Sequence, residues 1–184
     1  MAVRAIVVYP HPVLTTPTRE VETVDDDLRA LVDDMIETMR AERGVGLAAN
    51  QVGQSVRLMV VDVSAGEDPE ALTVLVNPRV VETSGRQNGE EGCLSFPGIF
   101  ENITRPQRVV VEATRLDGQS VRVEGEDFFA RALLHEIDHL DGIVFLQRMS
   151  PLKRRLVQRQ IRRLEQAGQW PESVMPDATA STEG

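Results

Sequence analysis

The 184-residue chain has one cysteine, one lysine, and no apolar run near the roughly 20 residues a membrane-spanning helix needs. A single cysteine, Cys93, rules out an intramolecular disulfide. A lone thiol survives best in a reducing compartment, which favours the cytosol. Lys153 is the only lysine among 20 basic residues. The rest are arginine, which reads as a bias of the source genome and decides nothing about mechanism. Positive charge is also scarce: 29 acidic residues leave a net charge of -9. A pI near 4.9 argues against a protein that coats nucleic acid, DNA included, but leaves room for a local basic patch. The start, MAVRAIVVYPHPVL, lacks the apolar segment and cleavage site of a signal peptide. Neither an internal repeat nor a second domain is visible.

What is present suits one soluble domain with a core of its own, since 41% of residues are hydrophobic and 27% charged. Asp25 to Arg43 reads as an amphipathic helix, with Leu28, Leu31, Val32, Met35, Ile36 and Met39 at three- and four-residue steps and Gly44 as its stop. A glycine-punctuated loop, Gly44 to Gln51, leads to a strand over Arg57 to Val63. Leu72 to Val76 and Arg79 to Val81 are two further strands, split by Asn77-Pro78. Arg108 to Glu124 reads as a hairpin around Asp117-Gly118, the dipeptide of type I′ turns. A second helix spans Asp127 to Leu140, ended by Gly142. A third spans Pro151 to Gln166, with Leu152, Leu156, Ile161 and Leu164 on one side. Residues 1–167 form the expected folded domain, and 168–184 a disordered tail.

The strongest local signal is His135-Glu136-Ile137-Asp138-His139 on the second helix. At about 3.6 residues per turn, His135 and His139 project from one face and can bind one metal ion, with Glu136 within reach of a bound water. The other face, with Phe129, Leu133, Ile137 and Leu140, reads as core. Two ordinary histidines would give the same letters, so a third ligand matters. Cys93 lies in the loop-like segment Glu90 to Gly98, where a lone cysteine could equally be a small buried apolar residue. His11, between two prolines, reads as an exposed loop residue. Three ligands with an open corner is therefore the better count than a closed four-ligand site. In Gly44 to Gln51, glycines allow close backbone approach and Gln51 offers an amide donor, although such loops often only turn the chain.

Together, Gly44 to Gln51 (G-x-G-x-A-A-x-Q), Glu91 to Ser95 (E-G-C-L-S) and His135 to His139 (H-E-x-D-H) resemble the peptide deformylase family, in that order. The resemblance extends to Tyr9-Pro10, Asn77-Pro78 and Ser150 to Lys153, and spans about residues 3 to 166. It implies an α+β fold, mostly antiparallel sheet around a central H-E-x-x-H helix, with N- and C-terminal helices. It implies Cys93, His135 and His139 as metal ligands, Glu136 as general base and acid, and Gln51 with the Leu94 N–H as oxyanion donors. Val45, Gly46 and Gly92 match positions that bind the substrate backbone, and Val45, Leu94, Phe128, Arg131 and Ala132 match the neighbourhood of the methionine pocket. The implied reaction is hydrolysis of the formyl group from N-formylmethionyl nascent peptides, releasing formate. The implied native metal is Fe²⁺, with Zn²⁺, Ni²⁺ or Co²⁺ as substitutes.

Two positions depart from the family pattern. Leu134 stands where many members have glutamine, and Phe100 where some have arginine. Asp138 could orient a ligand, pair with Arg105, or simply be solvated. Lys153, Arg154, Arg155, Arg159, Arg162 and Arg163 make helix 151–166 basic, a candidate ribosome-docking face on an acidic protein or a solvated face. Rival functions are an H-E-x-x-H endopeptidase, which fits Cys93 poorly, and a binding protein with a structural metal, which needs neither Glu136 nor Gln51. A family-like start almost at residue 1 makes a bacterial cytoplasm the simplest location, with no membrane involved.

Overall fold

The computed structural model describes residues 2–172. Helix α1 (Asp26–Ala41) starts at Asp25, whose carboxylate accepts the Leu28 N–H at 2.9 Å. It ends differently from the sequence reading. Arg43, not Gly44, takes the left-handed conformation (φ 56), and the Gly44 N–H closes back onto the Met39 carbonyl at 2.8 Å.

Part of the expected glycine loop is strand: β1 (Gly46–Ala48) pairs with β2 (Leu58–Val61). Next, β3 (Thr73–Ser84) runs unbroken through Asn77-Pro78 as one strand, correcting the expected pair. A register shift between Val76 and Arg79 absorbs the proline. There Asn77 (φ 53) uses its amide to both accept from and donate to the Val21 backbone, each at 2.8 Å. Strands β4 (Gln87–Gly92) and β5 (Phe100–Arg105) form a separate two-stranded sheet that the sequence reading missed. The expected hairpin is β6 (Arg108–Thr114) and β7 (Ser120–Glu126). Its turn is not type I′, which needs two residues at positive φ. Only Gly118 (φ 83) is left-handed, and its N–H bonds the Arg115 carbonyl at 2.9 Å.

The larger sheet has the antiparallel order β1-β2-β3-β6-β7. Alternation along β2 explains its unbroken apolar sequence. Leu58 and Val60 join the cluster under α1, while Met59 and Val61 join the cluster under α2 (Asp127–Leu140). Both faces of that end of the sheet are covered, with α2 packed through Ala130, Leu133, Ile137 and Leu140. Phe129 is only half-buried. Gly142 (φ 71) ends α2, and a Cβ there would lie 2.8 Å from the Thr16 backbone.

A third cluster joins the N-terminal segment, Phe96, Phe145 and α3 (Pro151–Gln166). The buried side of α3 carries Val157 and Ile161 with Leu164 beside them. Leu152 and Leu156, expected on that side, are 69% and 53% exposed. The expected tail boundary also moves, because Trp170 is buried in this cluster. The rest of the expected tail, 173–184, lies outside the described residues. No helix among the described residues is long and apolar enough to cross a membrane.

Candidate active site and metal centre

Helix α2 places His135 and His139 one turn apart, with ring centroids 5.0 Å from each other. The turn after β4 brings Cys93 against them, its Sγ 3.2 Å from His139 Nε2. One donor atom from each of the three residues falls within 4.8 Å of the others, the only such cluster among the described residues. His11 is elsewhere, capping a 3-10 turn through Nδ1. The donor set of one thiol and two imidazoles suits a divalent transition metal, with three ligands leaving one corner open.

His135 Nδ1 is turned away from the cluster, 2.9 Å from Glu91 Oε2. Glu91 is held in turn by Arg105, at 2.5 Å to Oε1 and 2.9 Å to Oε2, and by Arg131 at 2.6 Å. A carboxylate accepting on all sides requires the Nδ1 hydrogen and leaves His135 Nε2 unprotonated, with its lone pair available to a metal. Burial opposes a charge on Glu91, but hydrogen bonds from His135 and Arg105, and their charges, hold its carboxyl well below the usual range. Asp138 pairs with Arg105 at 2.8 Å and with Arg148 at 2.5 Å.

Glu136 is 4% exposed, and one of its oxygens has no hydrogen-bond partner. Burial raises its pKa to about 7, against the pull of the His135 and Arg105 charges. Strand β1 presses directly on it. A Cβ at Gly46 would stand 2.4 Å from Glu136 Oε1, so any larger residue there would displace the carboxylate. Gln51 is oriented by its own backbone neighbourhood. Its Oε1 accepts the Ala48 N–H at 2.9 Å, which turns Nε2 toward Cys93 Sγ (3.7 Å) and Ser95 Oγ (3.3 Å).

These groups open into a cleft of about 440 Å³ between β1 and β4. Val45, Gly46, Gln51, Gly92, Cys93, Leu94, Phe128, Arg131, Ala132, His135 and Glu136 all line it, whereas His139 lies behind its wall at 1% exposed. Only the stem of Arg131 is available to the cleft, because its guanidinium is drawn to Glu91. Phe100 is 63% exposed at the mouth, lying over Gly92. Sequence reasoning gave no role to Glu91, Arg148 or Asn50, whose amide donates to the His139 carbonyl at 2.6 Å. The position of Glu91 inside E-G-C-L-S was the one available signal.

Residues 3–155 match the polypeptide deformylase family model. A peptide deformylase of Acidobacterium capsulatum is 50% identical over 170 residues, covering 92% of this chain and all of that one. One of Thermodesulfovibrio yellowstonii is 43% identical, covering 88% of this chain and 98% of its own. The crystal structure of a peptide deformylase from Legionella pneumophila superposes with a TM-score of 0.84 at 38% identity, covering 93% of this chain and all of that one. The one from Thermus thermophilus gives 0.82 at 38%, covering 91% and 98%. The chain belongs to the peptide deformylase family, metal-dependent hydrolases that remove the N-formyl group from nascent peptides.

Proposed function

We propose that Cys93, His135 and His139 hold one divalent metal, Fe²⁺ in the native enzyme with Zn²⁺, Ni²⁺ or Co²⁺ as substitutes, and that Glu136 is the proton carrier of deformylation. The observation that carries this reading is the convergence of the three ligand atoms beside a buried, half-orphaned carboxylate. A metal held there supplies Lewis acidity and makes a water acidic near neutral pH. Glu136 takes the proton of the attacking water as its oxygen adds to the formyl carbon. It then delivers that proton to the amine nitrogen as the C–N bond breaks, releasing formate. Burial, which raises the pKa of this carboxyl, favours its holding the proton between the two transfers. Negative charge developing on the formyl oxygen meets the Gln51 amide and the Leu94 N–H, a type of contact worth roughly 3–4 kcal/mol in the transition state.

Strands β1 and β4 each have one unpartnered edge, and both edges face the cleft. Gly46 and Gly92 therefore offer backbone groups to an extended peptide, joined by the N–H of Val45, whose carbonyl already accepts the Asp62 N–H at 2.9 Å. Val45, Leu94, Phe128, Ala132 and the Arg131 stem receive the methionine side chain. Formate release from a formyl-Met tripeptide by protein purified without oxygen tests the assignment, against Glu136→Ala. The variant should keep its metal and lose nearly all release. Wild-type release from metal-bearing Glu136→Ala would remove Glu136 from the mechanism.

The basic face of α3 is proposed to dock on ribosomal RNA, in the cytoplasm. Lys153 and Arg154 are occupied, with Glu101 at 2.8 Å and the Leu146 carbonyl at 3.0 Å, while Arg155, Arg159 and Arg162 are exposed beside Leu152 and Leu156. Reversing those three arginines to glutamate should weaken co-pelleting with ribosomes at low salt and spare tripeptide hydrolysis. Unchanged pelleting would exclude this face.

A further inference from the structure

We propose that Trp170, the only tryptophan, is a positioning residue for the metal-ligand turn Cys93–Phe96, acting through Tyr9; the inference rests on the metal assignment above. After α3, Gly168 turns left-handed (φ 67), and the Gln169 and Trp170 N–H groups return to the Leu164 carbonyl at 2.8 and 3.2 Å. The chain is thereby folded back, and Trp170 is 8% exposed in the cluster containing Val7, Leu14, Phe96 and Phe145.

An indole has a single polar hydrogen, and this one is committed: Nε1 donates to the Tyr9 carbonyl at 2.8 Å. Tyr9 makes two contacts with the turn. Its N–H donates to the Ser95 carbonyl at 3.0 Å, and its ring stacks on Phe96 with centroids 4.8 Å apart and planes at 23°. The Phe96 N–H bonds the Cys93 carbonyl at 2.8 Å, and Phe96 forms part of the cleft wall. The turn that carries the thiol ligand and Leu94 is therefore gripped from two sides. Gln51 holds Ser95 from the β1 side, and Tyr9 holds it from the other. Trp170 is the backstop of that second grip, one residue removed from the turn.

Trp170→Ala, Trp170→Phe and Val60→Ala, the last in the separate cluster under α1, would be compared as full-length cobalt-loaded proteins. Melting temperature, the thiolate-to-cobalt absorption band and the rate of cobalt transfer to excess chelator would be followed. Trp170→Ala should release cobalt about 3–10-fold faster than the parent with an altered thiolate band, an effect below the roughly 10–100-fold of groups touching a ligand directly. Val60→Ala should lower the melting temperature and leave band and release rate at parent values. Release from Trp170→Ala no faster than from Val60→Ala would overturn the proposal. Trp170→Phe keeps an aromatic ring and deletes the hydrogen bond, and decides the same comparison if Trp170→Ala does not fold. A parent without the thiolate band overturns the metal assignment and this inference together. A parent with the band but no formate release sinks only the reaction.

Discussion

Glu91 joins four hydrogen bonds, two from Arg105, one from Arg131 and one from His135, in a site where it is 6% exposed. Changing it to glutamine puts an NH₂ where one of those donors now points, leaves the buried Arg131 guanidinium without its counterion, and leaves Arg105 with Asp138 alone. Removing one partner of such a buried network destabilises by about 3–5 kcal/mol. Loss of the His135 contact should also weaken metal binding about 10–100-fold. Chelator competition on the folded fraction checks the second effect, and metal affinity unchanged in Glu91→Gln would show that His135 needs no orienting partner. The two histidines were readable because one helical turn is a local spacing. Glu91 was not, since its partners Arg105, Arg131 and His135 come from β5 and α2 and meet it only once the β4–β5 sheet is folded against that helix. Gly46 was visible as glycine, but the reason for it, the pressure on Glu136, is a tertiary contact.

Among the elements, helices were the most legible and their ends the least. The periodicity of α1 locates its buried face, yet its stop is a left-handed Arg43 where a glycine one place later was the obvious candidate. A non-glycine residue there carries a backbone penalty of about 1–3 kcal/mol, partly offset by the greater unfolded-state freedom of glycine. Arg43→Gly should therefore stabilise the fold by about 0.5–1 kcal/mol, readable as a higher urea midpoint with an unchanged slope. A lower midpoint would mean that the Arg43 side chain, at the cleft rim, makes contacts worth more than its backbone strain. The β3 strand shows the same limit from the other direction. Asn77-Pro78 reads as an interruption because proline cannot donate to a ladder, and what rescues the strand is the pairing of Asn77 with Val21, 56 residues away. The β4–β5 sheet escaped detection because Gln87–Gly92 holds two glycines and no apolar residue to mark a face.

Across the whole molecule, the metal ligands belong to different layers. His135 and His139 ride on α2, packed against the five-stranded sheet, while Cys93 packs against the cluster formed by the N-terminal segment and α3. A metal bound by all three ties these two bodies together. The unfolded chain, in which Cys93 and His139 are 46 positions apart, holds no comparable site. Binding to the folded state alone raises stability with ligand concentration, reaching about 4 kcal/mol at 1,000 times the dissociation constant. For a domain of this size that corresponds to a rise in Tm of about 8–16 °C. Cobalt or zinc titrated into the metal-free protein should produce this upshift, and His139→Ala should abolish most of it, because its imidazole is the ligand buried deepest between the layers. An upshift that survived in His139→Ala would place the stabilising ion elsewhere, and the absence of any upshift in the parent would mean that the two layers hold together without help from the site they share.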